Sequence, residues 1–232
     1  MRDRSRSWRR SRAAFSDCRR RRSSRFLRST LPLMADHLLV LRAGATAYDL
    51  DGRLRGTLDM PLAAAGVAEA RRLGVELAAS APTSLHAADD GPSAETARLI
   101  GAACGLRPRT VAGLTNLDQG LWQGMLVEEI RRKQPRLHRQ WLEHPWSVVP
   151  PEGESLEEAC ARVDDIIGRL MRRRPRGTVA LVVPRPLDRI VLWVAAGRPL
   201  DDVWTADGPE PQFVRLPVAG QWRSSRRSVP VG

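Results

Sequence analysis

Cysteine, histidine and tyrosine are scarce in this chain: three, four and one among 232 residues. Cys18, Cys104 and Cys160 are odd in number and lack CxxC spacing, so neither a disulfide framework nor a zinc site is indicated. A reducing, cytoplasmic setting is the expectation. His37, His86, His138 and His144 are scattered without HExxH or any other metal-ligand spacing, and neither a metal nor a cofactor is expected. No apolar run approaches the roughly 18 residues a membrane-spanning helix needs, so no membrane partner is expected. With 42% apolar and 28% charged residues, the chain as a whole is neither disordered nor fibrous.

Net charge is +12, which raises the question of a nucleic-acid partner. Its distribution answers most of it. Residues 1–33 carry twelve arginines against Asp3 and Asp17, a net +10, while the remaining 26 basic and 24 acidic residues leave 34–232 at only +2. An electrostatic footprint for nucleic acid should lie on a face of the folded domain, so nucleic acid is a partner only through this tail, if at all. The segment 1–33, with Arg19 to Arg22 consecutive, reads as a disordered Arg/Ser-rich extension, because like charges repel and nothing apolar is there to bury. It fits a transit peptide, a nucleic-acid-binding arm, or upstream sequence read from a misassigned start. The abrupt change of composition at Met34 favours the last. A twin-arginine export signal is disfavoured, since Phe26 to Met34 is too short and interrupted for an apolar core. One folded domain is expected over 34–220, followed by a flexible basic tail over 221–232.

Within that domain the pattern alternates. Leu38 to Leu41 and Thr178 to Val183 are short continuous apolar runs, suited to strands covered on both faces. Leu85 to Ala88 reads as a further strand and Phe213 to Val218 as an edge or late one. Apolar residues at helical spacing predict helices over 62–79, entered at Pro61, and over 93–104, stopped by Gly105. One or two short helices are expected over 126–142 and another over 187–196. Ser155-Leu156-Glu157-Glu158 is a capping box opening a helix to about Arg173. Strands and helices in this order predict a three-layer α/β/α sandwich around a mostly parallel sheet.

Several stretches carry a resemblance: Leu39-Val40-Leu41-Arg42-Ala43-Gly44-Ala45-Thr46 with Asp49, Gly52-Arg53, Gly56, Asp59 and Pro61-Leu62; Ser93-Ala94-Glu95-Thr96-Ala97; Leu114-Thr115-Asn116 with Gly120-Leu121-Trp122-Gln123-Gly124; Gly153-Glu154-Ser155; and Val179 to Val183 with Gly197-Arg198-Pro199-Leu200. Together, and in this order, they resemble the histidine phosphatase superfamily in its phosphoglycerate-mutase-like branch. The resemblance implies a site at the carboxyl ends of the strands. There a histidine takes the phosphoryl group, a second histidine and two arginines hold its oxygens, and an acid protonates the leaving oxygen.

This chain departs from that set. Ala43 stands at the nucleophile position, and a methyl group cannot accept a phosphoryl group. The second arginine falls on Pro92, the acid on Asn116, and the second histidine on Pro184, or on Arg185 if the alignment slips by one. Arg42 is retained, so Arg42 and Arg185 are the candidates for residual anion binding. Arg42 has a rival reading as the partner of a strand-end carboxylate. Asp89, Asp90 and Asp188 stand beside the lost groups; if they face the pocket, a cationic phosphate trap becomes neutral or acidic and repels a phosphate monoester. Trp141 and Trp146, flanking Pro145, are candidates for its rim.

The resulting expectation is a catalytically inactive relative, with a binding, scaffolding or regulatory role toward a protein partner or a phosphorylated small molecule. The alternatives are an active phosphatase or mutase with an atypical site using Asp118, Asp89 or Arg185, and a nucleic-acid-associated protein acting through its N-terminal arm.

Overall fold

Two strands with continuous apolar interiors organise the fold. β1 (His37–Arg42) and β4 (Thr178–Val183) lie side by side in parallel, with Leu38 opposite Val179 and Val40 opposite Leu181. Both faces of this pair are covered, as continuous apolar runs require. Leu38, Val40, Val179 and Leu181 face α6 (Leu156–Arg172) and α7 (Leu187–Ala196). Leu39, Leu41, Ala180 and Val182 face α2 (Ala64–Ala78) and α3 (Gly91–Cys104). The period-two alternation of each strand thus feeds two separate cores, and the result is the three-layer α/β/α sandwich. The computed structural model describes residues 37–173, 177–200, 203–204 and 212–218. The Arg-rich segment 1–33 and the tail 221–232 lie outside them. No helix among the described residues is long and apolar enough to cross a membrane.

The sheet has the order β3-β2-β4-β1-β5, adding β2 (Ser84–Ala87), β3 (Arg109–Thr110) and β5 (Phe213–Pro217). All neighbours are parallel except β5, which runs antiparallel to β1 at the edge. This order positions the site. The chain leaves β1 through α2 toward β2, and leaves β4 through α7 toward β5 at the opposite edge. Adjacent strands whose connections depart in opposite directions open a crevice at their carboxyl ends.

Two helix starts differ from the sequence reading. α2 begins at Ala64 rather than at residue 62, because Leu62 bridges to Thr46 and the Ala63 N–H donates to the Ala45 carbonyl at 2.9 Å. α3 begins at Gly91 rather than Ser93. Its N-cap is Asp90, whose carboxylate accepts the Ser93 N–H at 2.9 Å and the Ser93 hydroxyl at 2.8 Å. A short helix not read from the sequence, α1 (Ala47–Leu50), is held by reciprocal capping between Thr46 and Asp49. Two further helices, α4 (Val127–Lys133) and α5 (Pro135–Glu143), cover a satellite core around Trp122, Ile130, Trp141 and Val148.

The capping box of α6 is present as read: the Glu158 N–H donates to Ser155 Oγ at 3.2 Å, and the Ser155 N–H donates to Glu158 at 3.0 Å. Hydrogen bonds from the Ser155 backbone and hydroxyl hold the Glu158 carboxyl below its ordinary pKa. A lowered folded value means that this contribution is full above the usual glutamate range and is lost as pH falls through the folded value. Ser155→Ala, which removes the N-cap, is expected to lower stability near neutrality and to lower it less in acid, measured by denaturant titration at both pH values.

Candidate functional site

At the carboxyl ends of β1 and β4 lies a cleft of about 360 Å³. Its floor is Arg42 to Ala45 from the β1 exit and Pro184 to Pro186 from the β4 exit; Asp49, Gly52 to Gly56, Glu69, Gln119, Val127, Val203 and Trp204 form its walls. The β1 exit owes its shape to backbone packing. Gly44 and Gly66 meet so closely that a Cβ on Gly44 would sit 2.5 Å from the Gly66 carbonyl oxygen, and one on Gly66 2.2 Å from the Ala45 oxygen. The Gly44 N–H is already taken, donating to Thr96 Oγ1 at 3.0 Å. Gly56, at φ +57, turns the opposite wall inward.

The sequence-derived positions separate into those that reach the cleft and those that do not. Ala43, Pro184, Arg42 and Arg185 line it. Pro92 is buried in the first turn of α3, a position that suits proline because the first helical N–H has no partner. Asn116 is 1% exposed and donates both amide hydrogens to main-chain carbonyls, that of Gly56 at 2.9 Å and that of Arg185 at 3.0 Å. It therefore clasps the two walls together. A carboxylate there would face two carbonyl oxygens with nothing to donate. Asn116→Asp is expected to destabilise by about 3–5 kcal/mol near neutrality, the order for an uncompensated buried charge. Because burial raises the new carboxyl's folded pKa above its unfolded value, this penalty must shrink as pH falls through that raised value. Thermal melts across pH check it.

Arg42 is paired as the strand-end reading has it: its Nε donates to Asp188 Oδ2 at 3.1 Å, with the Asp188 side chain 7% exposed in the first turn of α7. Asp188 lines a smaller adjoining cavity of about 70 Å³ rather than the cleft. The expectation for the other two aspartates is corrected. Asp89 is exposed and accepts a long bond from the Gly113 N–H at 3.4 Å, while Asp90 caps α3; neither lines the cleft, because their loop is committed to starting that helix. Asp118 does not line it either, and accepts the Gly120 N–H at 2.8 Å.

The rim tryptophans are also corrected. Trp141 is 1% exposed, between Trp122 and Trp204, and Trp146 packs on Trp193 beneath α6 and α7. The tryptophan at the cleft is Trp204, its ring 4.6 Å from that of Trp141. Its local sequence gives no periodic signal that points there.

Among the cleft residues that sequence reasoning missed are Arg55 and Gln119; Arg55 is the charged one. Its side chain is 4% exposed, and it reaches Asp90 Oδ1 at 3.5 Å. Arg53 beside it is engaged, donating to the Gly124 carbonyl at 2.7 Å and lying over the Tyr48 ring.

All four histidines are among the described residues, and none lines the cleft. His37 begins β1, His86 is buried on β2, His138 packs edge-on against Trp141, and His144 caps the end of α5. No described serine, threonine, cysteine, lysine or tyrosine lines it either. Cys160, deep in α6, is no substitute: burial, aided by the Glu154 charge, pushes its thiol up to about 12. Among the described residues no group of His, Cys, Asp and Glu is placed to hold a metal ion.

Comparison with known proteins gives a consistent set of likenesses. The profile of the histidine phosphatase superfamily (branch 1) matches residues 38–224. Phosphoserine phosphatase 1 of Hydrogenobacter thermophilus is 29% identical over 168 residues, covering 72% of this chain and 80% of that protein. A protein of Citrobacter koseri named as a probable phosphoglycerate mutase is 27% identical over 144 residues, covering 62% of this chain and 66% of its own. Among solved structures, one described as mycobacterial hydrolase 1 superposes with a TM-score of 0.71 at 23% identity, over 82% of this chain and 94% of its own. A mycobacterial glucosyl-3-phosphoglycerate phosphatase gives 0.67 at 24% identity, over 78% and 90%. At these identities the structural matches speak for the fold alone.

Proposed function

The chain belongs to the histidine phosphatase superfamily, branch 1, and from that membership together with the cleft's composition we propose that it is a pseudo-phosphatase: it keeps the cleft as a binding site and does not carry out covalent phosphoryl transfer. One observation carries this reading: with every histidine of the chain accounted for, the cleft holds none, and Ala43 stands at the β1 exit. A phosphoenzyme needs a lone pair on an activatable nitrogen, oxygen or sulfur. The lining carboxylates are committed elsewhere. Asp49 Oδ2 accepts from the Thr46 N–H and hydroxyl at 2.7 and 2.6 Å, and Glu69 accepts from the Gln212 amide.

Pro92 stands where the family places a second arginine, and Pro184, or Arg185 if the alignment slips by one, where it places a second histidine; neither proline can donate a side-chain hydrogen bond. Asn116, at the acid position, spends its amide on structure. Arg42 and Arg185 keep a residual capacity for an anion, and the role that follows is binding or regulation through a small molecule or partner protein. The free thiols of Cys104 and Cys160 support a reducing, cytoplasmic setting. Purified full-length protein given an aryl phosphate should release no phenol above the buffer rate. Turnover that disappears in Arg42→Ala would instead establish an active enzyme with an unorthodox site.

A further inference from the structure

Arg55 is a buried cation with too little to hold. A guanidinium carries five donors, yet this one is 5% exposed, its Nε has no partner, and it reaches Asp90 Oδ1 at 3.5 Å. That oxygen is already shared with the Ser93 N–H at 2.9 Å. An under-bonded buried charge is costly unless something completes it. Gln119 lines the same cleft, 2% exposed, with its Oε1 likewise unpartnered. A donor-rich cation and an unfilled acceptor therefore flank one volume.

Charge balance narrows what fills it. Arg42, Arg53, Arg55 and Arg185 line the cleft with Asp49 and Glu69, while Asp188 and Asp90 are held against Arg42 and Arg55. Among the described residues that line the cleft or pair with its lining arginines, four positive charges meet four negative ones. A formally neutral cleft leaves no excess charge to offset a dianion, so a singly charged ligand loses less on entry than a phosphate monoester does. Guanidinium geometry matches a planar carboxylate through paired N–H donors. The remaining wall, Leu54, Val127, Val203 and Trp204, is apolar, and Trp204 is backed by the buried Trp141 ring, which offers a rigid surface to a flat body.

We propose that Arg55 is the anion-recognising residue of this cleft, and that its ligand is a monocarboxylate on a flat apolar body bearing one N–H or O–H donor for Gln119. This rests on the non-covalent binding role proposed above. The probe is 4-hydroxybenzoate, titrated calorimetrically into the full chain beside phenyl phosphate at a pH where the phosphate ester is a dianion and the hydroxybenzoate carboxyl is ionised while its phenol keeps its proton. The carboxylate is expected to bind at least about tenfold more tightly than the phosphate ester. Arg55→Gln is expected to weaken its binding by about tenfold or more, the order of one charge-assisted hydrogen bond, and Arg55→Lys by less.

Thermal melts establish that each variant is folded, and the exposed Arg131→Gln should bind as wild type does. Equal or tighter binding of phenyl phosphate, no binding of 4-hydroxybenzoate at millimolar concentration, or wild-type affinity in folded Arg55→Gln would each overturn the proposal. Aryl-phosphate hydrolysis in the same samples would instead overturn the pseudo-phosphatase reading, so the two failures are distinguishable.

Discussion

Ala43→His should leave aryl-phosphate turnover at the uncatalysed rate, although it puts an imidazole at the β1 exit. In a well-studied hydrolase, loss of the nucleophile alone costs about 10⁶ in turnover, and groups that act as a unit are worth little separately. Here the new histidine would meet Pro184 across the cleft and an arginine already bonded to Asp188, while Asn116, where the resemblance expects the acid, does not line the cleft and has both its amide hydrogens engaged. A phosphoryl group held so poorly has no stabilised transition state to enter. A gain of about a thousandfold over wild type, the scale of a partly intact catalytic unit, would mean that the clamp and the acid survive in groups other than those named.

Gly66→Ala should destabilise the fold by about 3 kcal/mol or more, and here two effects of opposite sign compete. Helix propensity favours alanine over glycine inside α2 by about 1 kcal/mol. Against it, the added Cβ would lie 2.2 Å from the Ala45 carbonyl oxygen and 2.6 Å from the Ala45 nitrogen. Both are backbone atoms fixed by the β1 exit, since the Ala45 oxygen also accepts the Ala63 N–H at 2.9 Å and the neighbouring Gly44 N–H is bonded to Thr96. Overpacking against atoms that cannot rotate away outweighs the propensity gain. Denaturant titration of the variant reads the sign directly. A stabilised Gly66→Ala would show that the cleft floor is looser than this packing implies.

What the sequence disclosed and what it withheld divide along a physical line. β1 and β4 were legible because strands buried on both faces must be continuously apolar. α3 was legible because Gly105 ends it, at φ +67, where a left-handed residue is needed. The Ser155 box identified α6 because its logic spans only four residues. Ala43, where the resemblance expects the nucleophile, lines the cleft at the strand exit.

Features made by residues far apart in the chain were not legible. Arg42 and Asp188 are separated by 146 positions and Asn116 and Arg185 by 69, so nothing local marks either pair. The sequence casts Asn116 as a failed acid, whereas the fold uses it as a clasp. Arg55 is one arginine among many until burial sets it apart. Trp141 carries a helical pattern that points it inward, which is why it fills the satellite core and leaves Trp204 to the cleft. Thr46-Ala47-Tyr48-Asp49 did hold a usable signal for α1: a threonine followed three residues later by an acid, the capping spacing applied elsewhere to Ser155.

Covalent phosphorylation tests the account most directly. Full-length protein is incubated with a radiolabelled phosphoryl donor, quenched in alkali, where phosphohistidine survives, and digested for mass spectrometry. No labelled peptide should appear in wild type, and none containing residue 43 in Ala43→His. A phosphoryl group recovered on any residue of the cleft would contradict the pseudo-phosphatase reading.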